Sequence, residues 1–383
     1  MAEIKNLKKT AKRILSAIKK KERIILYSDA DLDGTVALLI LEESIKNLEG
    51  DISTCYFPDR EEEGYGLSPK ALDFLQSKSP ALLIITDCGI SNFKEIDRAQ
   101  KMGFETIIID HHEILNKLPN AFLIVDPKQK GDKYPFKFLA SAGLSFKLSK
   151  VLLGKKISKK IEKGFLELVA LATIADMMPQ IDDNRVFIER GLKGLPATFR
   201  PGLRAFFKFF PPSDFSLTEL AQKIISVIKI TGIDNHLTES YLLLNSQNEK
   251  EAEKIIAYLI EENSQRKEVL RELQQELEKE IKDDSVIVFE GGPQISNNLT
   301  GSLASRICNK FKKPTFIYYS DEKLSRGSVR TPRKINGVEV LGHCCELLQV
   351  YGGHPPACGF TVLNENLGKL KECLEKYFLN LKS

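Results

Sequence analysis

Three short apolar runs, each ending on acidic or imidazole side chains, constrain this fold most. Ile24–Tyr27 runs into Asp29, Leu82–Ile85 into Asp87, and Thr106–Ile109 into Asp110, His111 and His112. The runs are β-branched, aliphatic and nearly continuous, as strands covered on both faces should be. Strands are expected at 23–28, 52–57, 81–86, 104–109 and 122–125, with helices between them at 34–48, 68–78 and 92–102. That alternation predicts an α/β fold with a parallel sheet and right-handed crossovers. Open sheets of this kind take ligands outside the carboxyl ends of their strands. Asp29, Asp31, Asp33, Asp87, Asp110, His111 and His112 are therefore expected to share one crevice.

So many carboxylates in one place need cations. Two carboxylates about 4 Å apart repel by roughly 4 kcal/mol at an effective dielectric near 20. Oxygen ligands with a few imidazoles suit Mn²⁺ or Mg²⁺, and several such ligands suit a two-metal hydrolase acting on phosphoryl oxygens. A calcium loop shares the D-x-D-x-D-G pattern of 29–34, but it requires flanking helices and a glutamate where Ile40 stands. Two adjacent histidines after a buried strand, in a chain with five, point to metal ligation by His111. His112 either ligates, orients a ligand or meets the phosphate. Asp176 lies in an otherwise apolar helical run near the helix end, where the dipole disfavours a carboxylate. A metal, or an ion pair with Arg185, would compensate it. Seven cysteines without C-x-x-C spacing fit neither a disulfide framework nor a zinc cluster, and the compartment reads as reducing cytoplasm. Cys88 reads as a small residue filling a turn rather than as a nucleophile.

Helical patterns follow at 139–153, 161–177, 184–194, 217–230 and 237–245. Phe206, Phe207, Phe209 and Phe210 read as a core patch, with a base-stacking platform as the alternative. Residues 248–282 hold neither Gly nor Pro and carry an apolar stripe from Ile255 to Leu277, a semi-rigid helical connector. A second, smaller α/β domain is expected beyond it, with strands at 285–289, 314–319, 324–330 and 359–363 and helices at 299–311, 337–348 and 366–380. Over 284–383 there are 13 Lys and Arg against 9 Asp and Glu. A basic small domain and an acidic first domain suit a polyanion. Arg326 and Arg330 share one face of a strand and could fork phosphate oxygens. Gly352, Gly353 and His354 read as a plain turn or as an anion cradle. The expected division is 1–247 for the catalytic domain, with a helical extension from about 139, then 248–283 for the connector and 284–383 for the substrate-binding domain. No apolar run reaches the roughly 18 residues of a membrane span, and the charged N-terminus is no secretory signal.

The motifs DADLDG (29–34), TDCGIS (86–91), DHH (110–112), LASAGLSFKL (139–148), ATIADMMPQIDDNRVFIERGL (172–192), ENSQRKE (262–268), GSLASRI (301–307), GSVR (327–330) and GGHPPACGF (352–360) follow in order. In them the chain resembles the DHH phosphoesterases, and within these the RecJ-type single-strand exonucleases, in a compact form without the OB-fold. The resemblance implies a parallel-sheet DHH domain joined by a long helix to a smaller DHH-associated domain. It implies metal-dependent phosphodiester hydrolysis of single-stranded DNA or RNA, with two divalent ions, Mn²⁺ foremost and Mg²⁺ as the other fit. Residues expected to act are Asp31, Asp33, Asp87, His111, His112 and Asp176. Metal ligands are expected among Asp29, Asp31, Asp33, Asp87, His111 and Asp176, with Asp87 bridging. Arg306, Arg326, Arg330, Gly352, Gly353 and His354 are expected to bind substrate. Replication or repair proteins are the expected partners. A nanoRNase-type hydrolase of short oligonucleotides keeps the chemistry and changes the substrate, and a non-catalytic replication scaffold is the reading of another class. ITGIDNHLTES (230–240) departs from the branch's arginine-containing segment, and the chain has no tryptophan.

Overall fold

The structure is a computed structural model that describes residues 3–114, 117–229, 232–281, 285–332 and 334–380. The chain divides into two compact units, residues 1–263 and 264–383.

The first unit begins with helix α1 (Leu7–Lys20) and continues β1 (Ile24–Ser28), α2 (Leu32–Lys46), β2 (Thr54–Tyr56), α3 (Pro69–Leu75), β3 (Ala81–Thr86), α4 (Phe93–Lys101), β4 (Phe104–Ile109) and β5 (Leu123–Val125). The five strands form one parallel sheet in the order β2-β1-β3-β4-β5. Alternate strand residues feed two cores. Ile24, Leu26, Leu82, Ile84, Ile107 and Ile109 join the core on one face. Ile25, Tyr27, Leu83, Ile85 and Ile108 join the other, packed with Leu72 of α3 and Ile96 of α4. The near-continuous apolar runs are explained by this double burial.

Helices α5 (Ser141–Leu153), α6 (Lys159–Ala175), α7 (Asp182–Gly194), α8 (Pro201–Arg204) and α9 (Leu217–Ile228) follow. A minimal hairpin of β6 (Ile233–Asp234) and β7 (Leu237–Thr238) precedes α10 (Glu239–Asn245) and α11 (Glu249–Glu280). Helix α2 is buried almost all round. Such a helix belongs inside the helical layer, not at its surface. Phe206 is fully buried and stacks on Phe210, so the phenylalanine cluster is largely core. Helix α11 is unbroken where the two units divide. Ile256 and Leu259 pack into the first unit's core, and Leu270 and Leu277 into the second's. The expected ends of the connector and of helix 217–230 reach Lys282, Asp283 and Ile230, which with Thr231 lie outside the described residues.

The second unit holds β8 (Val288–Gly291), α12 (Asn297–Phe311), β9 (Thr315–Ser320), β10 (Leu324–Arg330), α13 (Gly337–His343), β11 (Leu348–His354), β12 (Ala357–Leu363) and α14 (Leu367–Asn380). Its mixed sheet runs β11-β12-β10-β9-β8, parallel only between β8 and β9. Two expectations need correction here. The Gly352–Gly353–His354 stretch is the end of strand β11, not a plain turn, because its backbone pairs with β12. Helix 337–348 stops at His343; Cys345–Leu347 form a short 3-10 turn, and Leu348 starts that strand. Cys344 and Cys373 are joined in a disulfide, tying the end of α13 to α14 across 29 residues.

Candidate metal centre

In this strand order the direction of chain progression reverses between β1 and β3, the point where open sheets bind ligands. Asp29 and Asp31 leave β1 there, and Asp87 leaves β3. Asp31 caps α2, accepting hydrogen bonds from the backbone N–H of Asp33 (3.0 Å) and Gly34 (3.1 Å). A Cβ on Gly34 would drive into the Asp29 carbonyl oxygen, so only glycine permits this turn. Asp33 accepts N–H bonds from Ser141 (2.7 Å) and Ala142 (3.0 Å), the first residues of α5. Asp87 is held at φ 59, a left-handed conformation rarely taken by a non-glycine residue and common at strained functional sites.

His111 is buried among these carboxylates. Its Nε2 lies 3.2 Å from Asp87, 3.6 Å from Asp33 and 3.6 Å from Asp176. Asp176 is the C-terminal cap of α6, where the sequence placed it. Arg185 pairs with Glu189 instead (3.8 Å). Asp110 turns the other way and organises the loop after β4. It accepts from Ile90 N (3.0 Å), His111 N (2.7 Å) and His112 N (3.2 Å), and meets His112 Nδ1 at 2.8 Å. Asp29 is gripped by Arg60, whose Nη2 also reaches Asp31 at 3.2 Å. The Tyr65 hydroxyl donates to the Asp87 carbonyl at 3.1 Å and sits 3.2 Å from His112.

The electrostatics follow from this crowding. Burial and the charge of Asp31 push Asp33 up to about 7. Burial, then the charges of Asp33, Asp31 and Asp29, hold Asp87 well above the usual carboxylate range, and Asp176 is raised for similar reasons. Burial and neighbouring His112 keep His111 neutral to low pH. Burial works against ionisation of Asp110, but His112 outweighs it and holds Asp110 low. Burial raises the Cys88 thiol strongly, which suits a space-filling residue and not a nucleophile.

Ligand atoms of Asp33, Asp87 and His111 lie within 4.8 Å of one another, and so do those of Asp29, Asp31 and Asp87. The two groups share Asp87. Asp87 Oδ1 and Asp176 Oδ2 are buried and accept no hydrogen bond among the described residues. Buried carboxylate oxygens without donors, in a cluster too acidic to ionise alone, fit divalent cations.

In the second unit Arg330 is half-buried and donates to Ser305 Oγ (3.1 Å) and the Val329 carbonyl (2.9 Å). Arg330 and His354 both register with Ala357 of β12, so they share one row of the sheet, with Gly353 beside them. Gly353 has φ 125, and a Cβ there would meet Cys358. Gly352, two rows from Arg330 and His354, faces open space. The structure does not bring Arg326 or Arg306 to this row: Arg326 pairs with Asp321 (2.9 Å), and Arg306 extends to Gln274 (3.4 Å). Sequence reasoning missed Arg60, Tyr65 and Lys128. The first two lie in PDREEEGYG (58–66), whose paired glycines and basic residue within an acidic run were the available signal.

Residues 23–173 match the profile of the DHH family, N-terminal domain, and residues 283–380 match the DHHA1 domain. The chain is 32% identical to the single-stranded-DNA-specific exonuclease RecJ of Bacillus subtilis over 98% of its own length, and 29% identical to that of Thermus thermophilus, also over 98%. It spans 48% and 54% of the length of those two proteins. Its fold superposes on a crystal structure of exonuclease RecJ bound to manganese with a TM-score of 0.80 and 27% identity, covering 98% of this chain and 95% of that one. A Thermus thermophilus RecJ–Mn²⁺ structure gives a TM-score of 0.82 at 23% identity, covering 98% of this chain and 55% of that one, a likeness of fold. With both domain matches in order and the carboxylate crevice at the carboxyl ends of the strands, the chain carries a DHH-family N-terminal domain followed by a DHHA1 domain and is similar to the RecJ exonucleases.

Proposed function

We propose that this protein is a metal-dependent phosphodiesterase that hydrolyses single-stranded nucleic acid as an exonuclease. The observation that carries the reading is the pair of ligand groups sharing Asp87. Asp33, Asp87 and His111, with Asp176 beside them, would hold one divalent ion. Asp31 and Asp87, with Asp29, would hold a second. Mn²⁺ is the preferred ion and Mg²⁺ the other fit, as the metals of the RecJ crystal structures support. Such ions, when bound, activate water and neutralise charge on a phosphate.

The protein's own groups do the rest. Asp110 fixes the His112 ring through Nδ1, and the Tyr65 hydroxyl lies 3.2 Å from both of its ring nitrogens. Burial raises the Tyr65 hydroxyl well above its ordinary range and keeps it protonated, and with water as the nucleophile no side chain need form a covalent intermediate. Arg60 balances Asp29 and Asp31 at the rim. In the second unit Arg330, Gly353 and His354 would hold backbone phosphates, with Gly352 leaving room beside them. Arg326 and Arg306 would assist from the same unit. Phosphate contacts give affinity with little base readout. Single-stranded DNA is the substrate the names of the relatives support. Replication or repair proteins as partners, and a cytoplasmic setting, belong to the same reading. Among the described residues no helix is long and apolar enough to cross a membrane.

A panel of end-labelled DNA and RNA strands, from dinucleotides to long single strands and duplexes, tests it with Mn²⁺, with Mg²⁺ and with chelator. Metal-dependent shortening of single strands is expected. Cleavage of dinucleotides alone would move the protein to the nanoRNase-type reading. No cleavage together with no Mn²⁺ binding would leave the scaffold reading.

A further inference from the structure

Lys128 stands just outside the crevice, on the segment that leaves β5. Its side chain is only 12% exposed. The ammonium Nζ donates to the backbone carbonyl of His111 at 2.6 Å and pairs with Glu113 at 2.9 Å. Its own backbone is fixed by Asp126, which accepts from Lys128 N at 2.7 Å. Asp126 is fully buried. The strand-end segments after β4 and β5 are thus stitched together by one side chain.

The consequence concerns His111. Asp110 secures the N–H side of the His111 peptide. The carbonyl side faces away from Asp110, and a buried carbonyl needs a donor. With Lys128 attached, the peptide between His111 and His112 is held at its carbonyl by Lys128 and at its N–H by Asp110, and the backbone from which the imidazole leaves is fixed on both sides. Nε2 then arrives between Asp33, Asp87 and Asp176.

We propose that Lys128 is a positioning residue for the metal centre, fixing the His111 peptide, and through it the His111 imidazole, by the hydrogen bond to the His111 carbonyl. This rests on the reading of Asp33, Asp87, His111 and Asp176 as ligands. Outer groups that orient a ligand typically change metal affinity or activity 10–100-fold when removed.

The test is Mn²⁺ binding by calorimetry, without nucleic acid, on the full chain and on Lys128→Met and Lys128→Arg. Methionine fills the channel but donates nothing, and arginine restores a charged donor. The expected result is a 10–100-fold weaker Mn²⁺ affinity in K128M, recovered in large part by K128R, with metal-free melting temperatures close to that of the parent. A lysine that only braces the fold would lower the metal-free melting temperature and leave the affinity alone. Equal affinity in K128M and the parent overturns the proposal, as does a K128R no better than K128M. If K128M does not fold, Lys128→Leu, which also lacks a donor, gives the same comparison, with at least about tenfold weakening expected and unchanged affinity overturning it. A parent protein that binds no Mn²⁺ would remove the metal-centre reading itself. Binding in the parent with no change in the variants would remove only the role of Lys128.

Discussion

Asp87→Asn should make the metal-free protein more stable and the metal-loaded protein less so. Asp87 faces the charges of Asp33, Asp31, Asp29 and Asp176 in a buried cluster. Its Oδ1 accepts no hydrogen bond among the described residues, so the amide removes charge without removing an acceptor in use there. Asparagine also tolerates the left-handed backbone at φ 59. One like-charged neighbour at about 4 Å costs roughly 4 kcal/mol at an effective dielectric near 20. Asp33 gives an independent gauge. Its rise from 3.8 to about 7 is worth about 4 kcal/mol at about 1.4 kcal/mol per unit. The sign follows from linkage. A carboxylate whose folded-state pKa is raised binds protons more tightly when folded, so stability falls as pH rises from the unfolded value through about 7. D87N should therefore exceed the parent by about 2–4 kcal/mol at alkaline pH without metal, and lose that advantage toward the acid end where the cluster is protonated. With Mn²⁺ at a hundred times its dissociation constant, the parent gains about 2.7 kcal/mol per site and the variant gains nothing. The assay is chemical denaturation across pH, with and without Mn²⁺. A D87N protein that is weaker than the parent without metal at alkaline pH, or is stabilised equally by Mn²⁺, would refute the argument.

Three further outcomes follow from the geometry. Gly34→Ala should lower the melting temperature and abolish Mn²⁺ binding, because a Cβ would push into the Asp29 carbonyl and unseat the Asp31 cap; a normal melt and normal binding would contradict the turn. Tyr65→Phe removes the hydroxyl between His112 and the Asp87 carbonyl. Turnover should fall about tenfold while Mn²⁺ affinity holds, as expected for an outer positioning contact, and steady-state kinetics with calorimetry separates the two. Arg330→Ala should raise KM for oligonucleotides and flatten its salt dependence, with little change in Mn²⁺ affinity; a KM equal to the parent's across salt would exclude a phosphate contact.

The first sheet was legible because its physics is local and doubled. Strands β1, β3 and β4 are buried on both faces, so Ile24–Ser28, Ala81–Thr86 and Phe104–Ile109 carry nearly unbroken apolar runs, and the structure has them where the sequence suggested. The acidic crevice was legible for the same reason, since strand ends fix where Asp29, Asp87 and His111 emerge. Strand β11 was not. Gly352, Gly353 and Pro355 are turn residues by local preference, and only pairing with β12 makes that edge extended. The β6–β7 hairpin has two residues per arm, too few for any periodicity. Arg60, Tyr65 and Lys128 reach the crevice from loops, where spacing carries no geometric information. Cys344 and Cys373 are brought together by α13 and α14, and their separation in sequence says nothing of that contact.

Anomalous diffraction at the manganese edge, from crystals grown with Mn²⁺, tests the central claim most directly. Two peaks are expected, one against Asp33, Asp87, His111 and Asp176 and one against Asp31 and Asp87, with the Asp87 carboxylate touching both. Peaks elsewhere with this crevice empty, or a single ion that leaves Asp87 uncoordinated, would contradict the account.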